Sequence, residues 1–191
     1  MKSKRLVVGF VSFVLMLLLS ACGSNSDQKS EDEKNKNMDH KNMNMDHMGH
    51  SSSGQIPKGL IEKENPTYKV GNQAIIKADH MEGMNGAKAT IVGAYDTTAY
   101  VVSYTPTTGG EKVKNHKWVI QEEIKNTGSE TLKPGTEVTI EADHMEGMKG
   151  ATGTIDSAEQ TTVYMIDYTP AAGGEKVKNH KWVTESELST K

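Results

Sequence analysis

The chain is predicted to be an all-β protein, two tandem small β-barrels behind a disordered N-terminal tail. Three observations carry that reading. Ser24 to about Gly54 is almost free of aliphatic and aromatic residues, so it cannot bury enough apolar surface to fold. Gly71 to Ile124 then aligns without a gap on Gly135 to Leu188, with more than half the residues identical, and two such copies point to two similar small domains. Within each copy short alternating or β-branched runs are cut by glycine and proline, and no segment carries a convincing helical stripe.

The elements follow in chain order. Residues 1–21 read as a lipoprotein signal peptide: Lys2, Lys4 and Arg5 precede an apolar run from Leu6 to Leu19, too short and wrongly flanked for a stable membrane span. The run ends in Leu19-Ser20-Ala21-Cys22, which resembles a bacterial lipobox, so Cys22 is expected to become the lipid-bearing N-terminus, held by at least two acyl chains. It is the one cysteine of the chain. An exported protein whose single thiol is lipidated has no disulfide and no thiolate metal site.

Residues 22–56 form the tether, which as a flexible coil of about thirty residues would span roughly 30 Å. Residues 57–126 and 127–191 are the two repeats. In the second, Val138 to Ala142 alternates, Thr154-Ile155 follows glycines, Val163 to Tyr168 is β-branched and aromatic, and His180 to Val183 makes a brief last strand. Gly83, Gly86, Gly109, Gly110 and Pro106, with Gly147, Gly150, Gly173, Gly174 and Pro170, mark the turns. This order of strands and glycine turns resembles SH3-like, and more narrowly KOW-like, barrels. Trp118, Trp182, Ile76, Ile91, Tyr104 and their equivalents are expected in the cores. Domains this small bury a modest core, so packing between copies or a bound metal would add stability.

The chemistry lies in histidine beside methionine. Asp-His-Met-Glu-Gly-Met occurs at Asp79 to Met84 and again at Asp143 to Met148, and the tail carries Met38, His40, Met43, Met45, His47, Met48 and His50. Thioether and imidazole suit copper, the thioether monovalent copper above all. A solvated spacer gains nothing from exposed methionines, which invite oxidation, so the tail reads as a multi-ion buffer. In the repeats a bland account stands beside the metal one: Met81 or Met84 plugs a barrel end, Asp79 accepts turn hydrogen bonds and His80 caps the turn. Against it, His80, Met81 and Met84 lie on one tight turn, and His116 at the last strand is expected to approach the same end. His144, Met145, Met148 and His180 would form the second site, with Asp79 and Glu82 as reserve oxygen ligands. Several copper ions per chain, held as Cu(I), are expected.

Charge and motifs exclude other classes. The chain has 22 basic and 25 acidic residues, and loss of the leader removes bases only, which argues against nucleic acid as a partner. There is no Gly-x-Ser-x-Gly elbow, no cysteine nucleophile and no cysteine for a blue-copper centre. The chain is not expected to be an enzyme.

Together the lipobox, the Met/His tail and the paired Asp-His-Met-x-Gly-Met, Tyr-Thr-Pro, Gly-Gly and Asn-His-Lys-Trp-Val units resemble the YdhK family of Gram-positive lipoproteins, and within it copper-binding surface lipoproteins. The resemblance covers essentially the whole chain. It implies a copper-resistance protein on the outer face of the cell membrane of a Gram-positive bacterium, binding several copper ions beside a copper-exporting ATPase. Two other functions fit the same pattern. One is an SH3-like module that binds cell wall through Tyr100, Tyr104 and Trp118, and the other is a copper chaperone to an exporter.

Overall fold

The computed structural model describes residues 51–190. The signal peptide, Cys22 and the tail ligands Met38, His40, Met43, Met45, His47, Met48 and His50 lie outside the described residues.

Eight strands make one antiparallel sheet that does not close: β1 (Ile61–Glu62), β2 (Gln73–Ile76), β3 (Lys88–Tyr104), β4 (Val113–Ile120), β5 (Glu137–Thr139), β6 (Thr152–Tyr168), β7 (Val177–Thr184) and β8 (Leu188–Ser189). Short 3-10 turns follow β4 at Gln121–Glu123 and β7 at Glu185–Glu187. The all-β class agrees with the sequence reading. The two strands expected in the middle of each copy are instead one strand of 17 residues. The reason is the pairing between copies.

Strand β3 of the first copy runs antiparallel to β6 of the second from Ala89↔Tyr168 to Tyr104↔Gly153. At its centre Thr97 pairs with Thr161, its own counterpart in the repeat, so a local two-fold axis passes between them. The residues between the two expected strands, Ser157 to Thr162 in the second copy, are kept extended because they pair with β3 of the other copy. One extra residue on each long strand, Val92 and Asp156, breaks the register symmetrically and bends the strand as a bulge does.

The ends of the copies cross in the same way. β2 pairs with β8 through Ile76↔Leu188, and the equivalent bridge joins Ile140 to Ile124. Each hydrophobic core is therefore built from both copies. One joins Ile76, Met84 and Ile91 to Tyr164, Tyr168, Val177 and Leu188. The other joins Tyr100, Tyr104, Val119 and Ile124 to Ile140, Met148 and Ile155. Trp118, Trp182, Tyr95 and Met165 belong to a third cluster, also built from both copies. The boundary between residues 126 and 127 divides the repeats in sequence; it does not divide the cores. The expected core residues Ile76, Ile91, Tyr104, Trp118 and Trp182 are all buried. Tyr100, Tyr104 and Trp118 thus do not line an exposed groove for cell wall, because their rings are buried in the hydrophobic clusters.

Candidate metal site

The repeated turn starts where β2 ends. Gly86 N–H donates to Ile76 O at 2.8 Å and Met84 N–H to Met81 O at 3.2 Å, which closes the Asp79–Met84 stretch into a compact loop. Gly83 has φ +73°, and a Cβ there would stand 2.8 Å from Pro170 Cβ of the other copy. Glycine is needed on both counts. Ala171 N–H donates to Gly83 O at 2.8 Å, and the counterpart bond runs from Thr107 N–H to Gly147 O at 2.9 Å. Each Asp-His-Met-Glu-Gly-Met turn is therefore docked on the Tyr-Thr-Pro loop of the other copy.

This docking sorts the predicted ligands. Met84 and Met148 are fully buried in the two cores, so they act as hydrophobic plugs and lie away from the cleft, as the bland account of the turn has it. Asp79, His80, Met81, His116, His144, Met145 and His180 instead line one open cleft of about 430 Å³. Glu82 is exposed on the turn.

Two carboxylates that sequence reasoning missed hold the turn histidines. His80 Nε2 lies 2.7 Å from Glu187 Oε1, and His144 Nε2 lies 2.8 Å from Glu123 Oε1. Glu187 also accepts the Trp118 indole N–H at 2.8 Å and Thr184 N–H at 3.0 Å; Glu123 accepts the Trp182 indole at 3.1 Å and Ile120 N–H at 3.3 Å. Burial is the largest influence on each carboxyl and acts to raise it. The opposing interactions win in sum: the charge and hydrogen bond of His144, with Trp182 and Ile120, hold Glu123 below the ordinary glutamate range. The hydrogen bond and charge of His80, with Thr184 and Trp118, do the same for Glu187. An ionised carboxylate only accepts, so the ring nitrogen facing it is the N–H donor. In the neutral ring the lone pair is then on Nδ1. Both His80 Nδ1 and His144 Nδ1 are buried without a hydrogen-bond partner among the described residues.

Tyrosines knit the remaining residues together. The Tyr104 ring stands edge-on to His116 with centroids 6.0 Å apart, and its hydroxyl donates to Met145 Sδ at 3.8 Å. The Tyr168 ring meets His180 at 5.7 Å, and its hydroxyl reaches Met81 Sδ at 4.0 Å. The His116 and His144 rings lie 6.2 Å apart, centroid to centroid. Of the expected grouping, His116, His80 and Met81 line the one cleft, whereas Met84 is buried in a core. The His116 ring lies beside His144 and is joined through Tyr104 to Met145, and His180 is joined through Tyr168 to Met81. The exchange of strand ends carries each last-strand histidine across to the turn of the other copy.

Among the described residues no group of three or more His, Cys, Asp or Glu side chains is placed to hold a metal ion, so a site here would need the thioethers. The donor set fits a soft ion: imidazoles oriented by carboxylates, with methionine sulfur beside them. Lys117 and Lys181 rest over the Trp118 and Trp182 rings at 5.3 Å and 5.6 Å and border the cleft. The signal for the missed acids was present in the repeat, since Glu123 and Glu187 hold equivalent positions after Trp118 and Trp182.

Residues 70–121 and 134–185 each match the model of a family described as protein of unknown function (DUF1541). The chain is similar to a Bacillus subtilis (strain 168) protein named uncharacterized protein YdhK, 58% identical over 191 residues, which cover 100% of this chain and 92% of that protein. It is also similar to the crystal structure of a DUF1541 family protein (ydhK) from B. subtilis, with a TM-score of 0.73 and 68% identity over 76% of this chain and 99% of that one. The solution NMR structure of the B. subtilis ydhK C-terminal domain matches with a TM-score of 0.61 and 71% identity, over 64% of this chain and 93% of that one.

Proposed function

The chain belongs to the DUF1541 family, and we propose that it is a lipid-anchored, extracytoplasmic protein that binds copper and limits its entry into the cell. It is a sequestering protein with no catalytic role. The tail is a multi-ion buffer held to the outer face of the membrane through Cys22, and the folded repeats contribute further sites. In the same proposal each of the two cores built from both copies is the interior of an SH3-like barrel.

The observation that carries the reading is the cleft. All four histidines of the folded part and two of its methionines line it, although they come from opposite ends of the two repeats. His80 and His144 are each pinned by a buried carboxylate, the arrangement that fixes a metal-binding imidazole and raises its basicity. Thioether beside imidazole selects copper, in its monovalent form, over magnesium or calcium. The residues that follow the tail are hydrogen-bonded to β7, the strand that carries His180. Ser52 N–H donates to Lys178 O at 3.0 Å and Ser52 Oγ to Asn179 O at 2.7 Å, next to His180.

The mechanism is mass action. Ligands concentrated at the membrane lower free copper there, and each ion held by the folded part stabilises it. A copper-exporting ATPase would work beside the protein on the ions that still enter. The test is an anaerobic competition titration of monovalent copper against a chromophoric chelator. It compares the mature chain with a variant whose tail residues Met38, His40, Met43, Met45, His47, Met48 and His50 are replaced by serine. The proposal expects copper withdrawal by both, with lower capacity in the variant. Withdrawal by neither would overturn the copper reading, and withdrawal by the mature chain alone would confine copper to the tail.

A further inference from the structure

We propose that each copper site of the folded part is shared between the two repeats: His116 with His144 and Met145 holds one ion, and His180 with His80 and Met81 holds the other. The inference rests on the copper reading and goes beyond it by assigning the ligand sets. It replaces the grouping within one repeat that the sequence suggests.

Geometry carries the assignment. Two imidazoles on one ion, each with a metal–nitrogen bond of about 2.0 Å as at zinc, put their ring centroids no more than about 6.3 Å apart. The His116 and His144 centroids are 6.2 Å apart, with the rings tilted by 39°. These two rings therefore stand at the span a shared ion allows, and modest movement would close the site. Met145 is brought to the same place because Tyr104 contacts both His116 and Met145. Tyr168 contacts both His180 and Met81 in the counterpart.

The donor atoms agree. Glu123 and Glu187 take the Nε2–H of His144 and His80, so each ring offers Nδ1. Those Nδ1 atoms are buried and lack a hydrogen-bond partner among the described residues. A buried polar atom without a partner is costly, and a bound ion would remove that cost. Each turn is held on the opposite repeat by the Gly83–Ala171 and Gly147–Thr107 hydrogen bonds. An ion bound this way clamps one repeat to the other.

The test uses the mature chain with the seven tail ligands replaced by serine, so that only folded sites report. Copper equivalents withdrawn from the chelator are counted for three versions of it. Replacing His116 by Asn should remove one of two equivalents. Adding Met145→Leu should remove no more, because both residues serve the same ion, whereas adding Met81→Leu instead should weaken the second equivalent by tenfold or more. The leucines keep the side-chain volume, and an unchanged thermal midpoint without copper confirms that each variant folds. The opposite pattern, with Met145→Leu weakening the second equivalent and Met81→Leu costing nothing further, would overturn the assignment while leaving copper binding intact. No withdrawal by the tail-substituted parent would overturn the folded sites altogether.

Discussion

His80 of the first repeat and Glu187 of the second form a buried pair, Nε2 to Oε1 at 2.7 Å, and the fold repeats it as His144 with Glu123 at 2.8 Å. Each pair joins the start of one repeat to the end of the other. Each carboxylate also accepts a tryptophan indole from β4 or β7, so a single acid ties together a turn, a strand and a 3-10 turn.

Removing that acid should be expensive. Glu123→Ala leaves the Trp182 indole, Ile120 N–H and His144 Nε2 without their acceptor in a site where Glu123 is 5% exposed. Breaking a buried pair by removing one partner costs about 3–5 kcal/mol. Urea denaturation of the metal-free protein should show a loss of about this size.

Acid should unfold the protein through the same groups. Glu123 and Glu187 are held below the ordinary glutamate range in the folded state, so the folded state binds fewer protons than the unfolded one as pH falls. The stabilisation is full above the unfolded glutamate range and is lost as pH drops through the folded values. Urea midpoints measured downward from neutral pH should hold steady with respect to these groups and then fall below about pH 4.5. Glu187→Gln should lessen that fall.

The all-β class, the repeat and the large core residues were legible in the sequence, because alternation and identical spacing report burial whatever the partner strand is. The exchange of halves was not. Thr97 and Thr161 are the same residue in the same context, so the sequence is equally consistent with each copy closing on itself and with each pairing with the other. For the same reason the sequence did not show that the His116 ring lies beside the Asp-His-Met-Glu-Gly-Met turn of the other repeat, at His144. Glu123 and Glu187 were missed because a lone glutamate near the end of a strand reads as solvated surface charge.

Glycine at the docked turn separates backbone strain from contact. Gly83→Ala places a methyl at φ +73° and 2.8 Å from Pro170, whereas Gly86→Ala meets nothing within 4 Å at φ +80°. The first should destabilise by about 2–3 kcal/mol and the second by about 1 kcal/mol, since left-handed backbone costs both and the clash only one. Thermal or urea denaturation of the two variants gives the difference.

The methionines of one turn should divide by role. Met84 is fully buried in a core, and Met81 is half-buried beside the cleft. Met84→Ala should cost about 2–5 kcal/mol through the cavity it leaves. Met84→Leu should be nearly neutral in stability and in copper uptake. Met81→Leu should leave stability in place and weaken copper.

X-ray absorption at the copper edge of the tail-substituted chain, loaded anaerobically with two equivalents of monovalent copper, tests the folded site most directly. Nitrogen scatterers at about 2.0 Å and a sulfur scatterer at about 2.3 Å are expected around each ion. A shell of nitrogen and oxygen alone, or no copper retained by the folded repeats, would contradict the folded site.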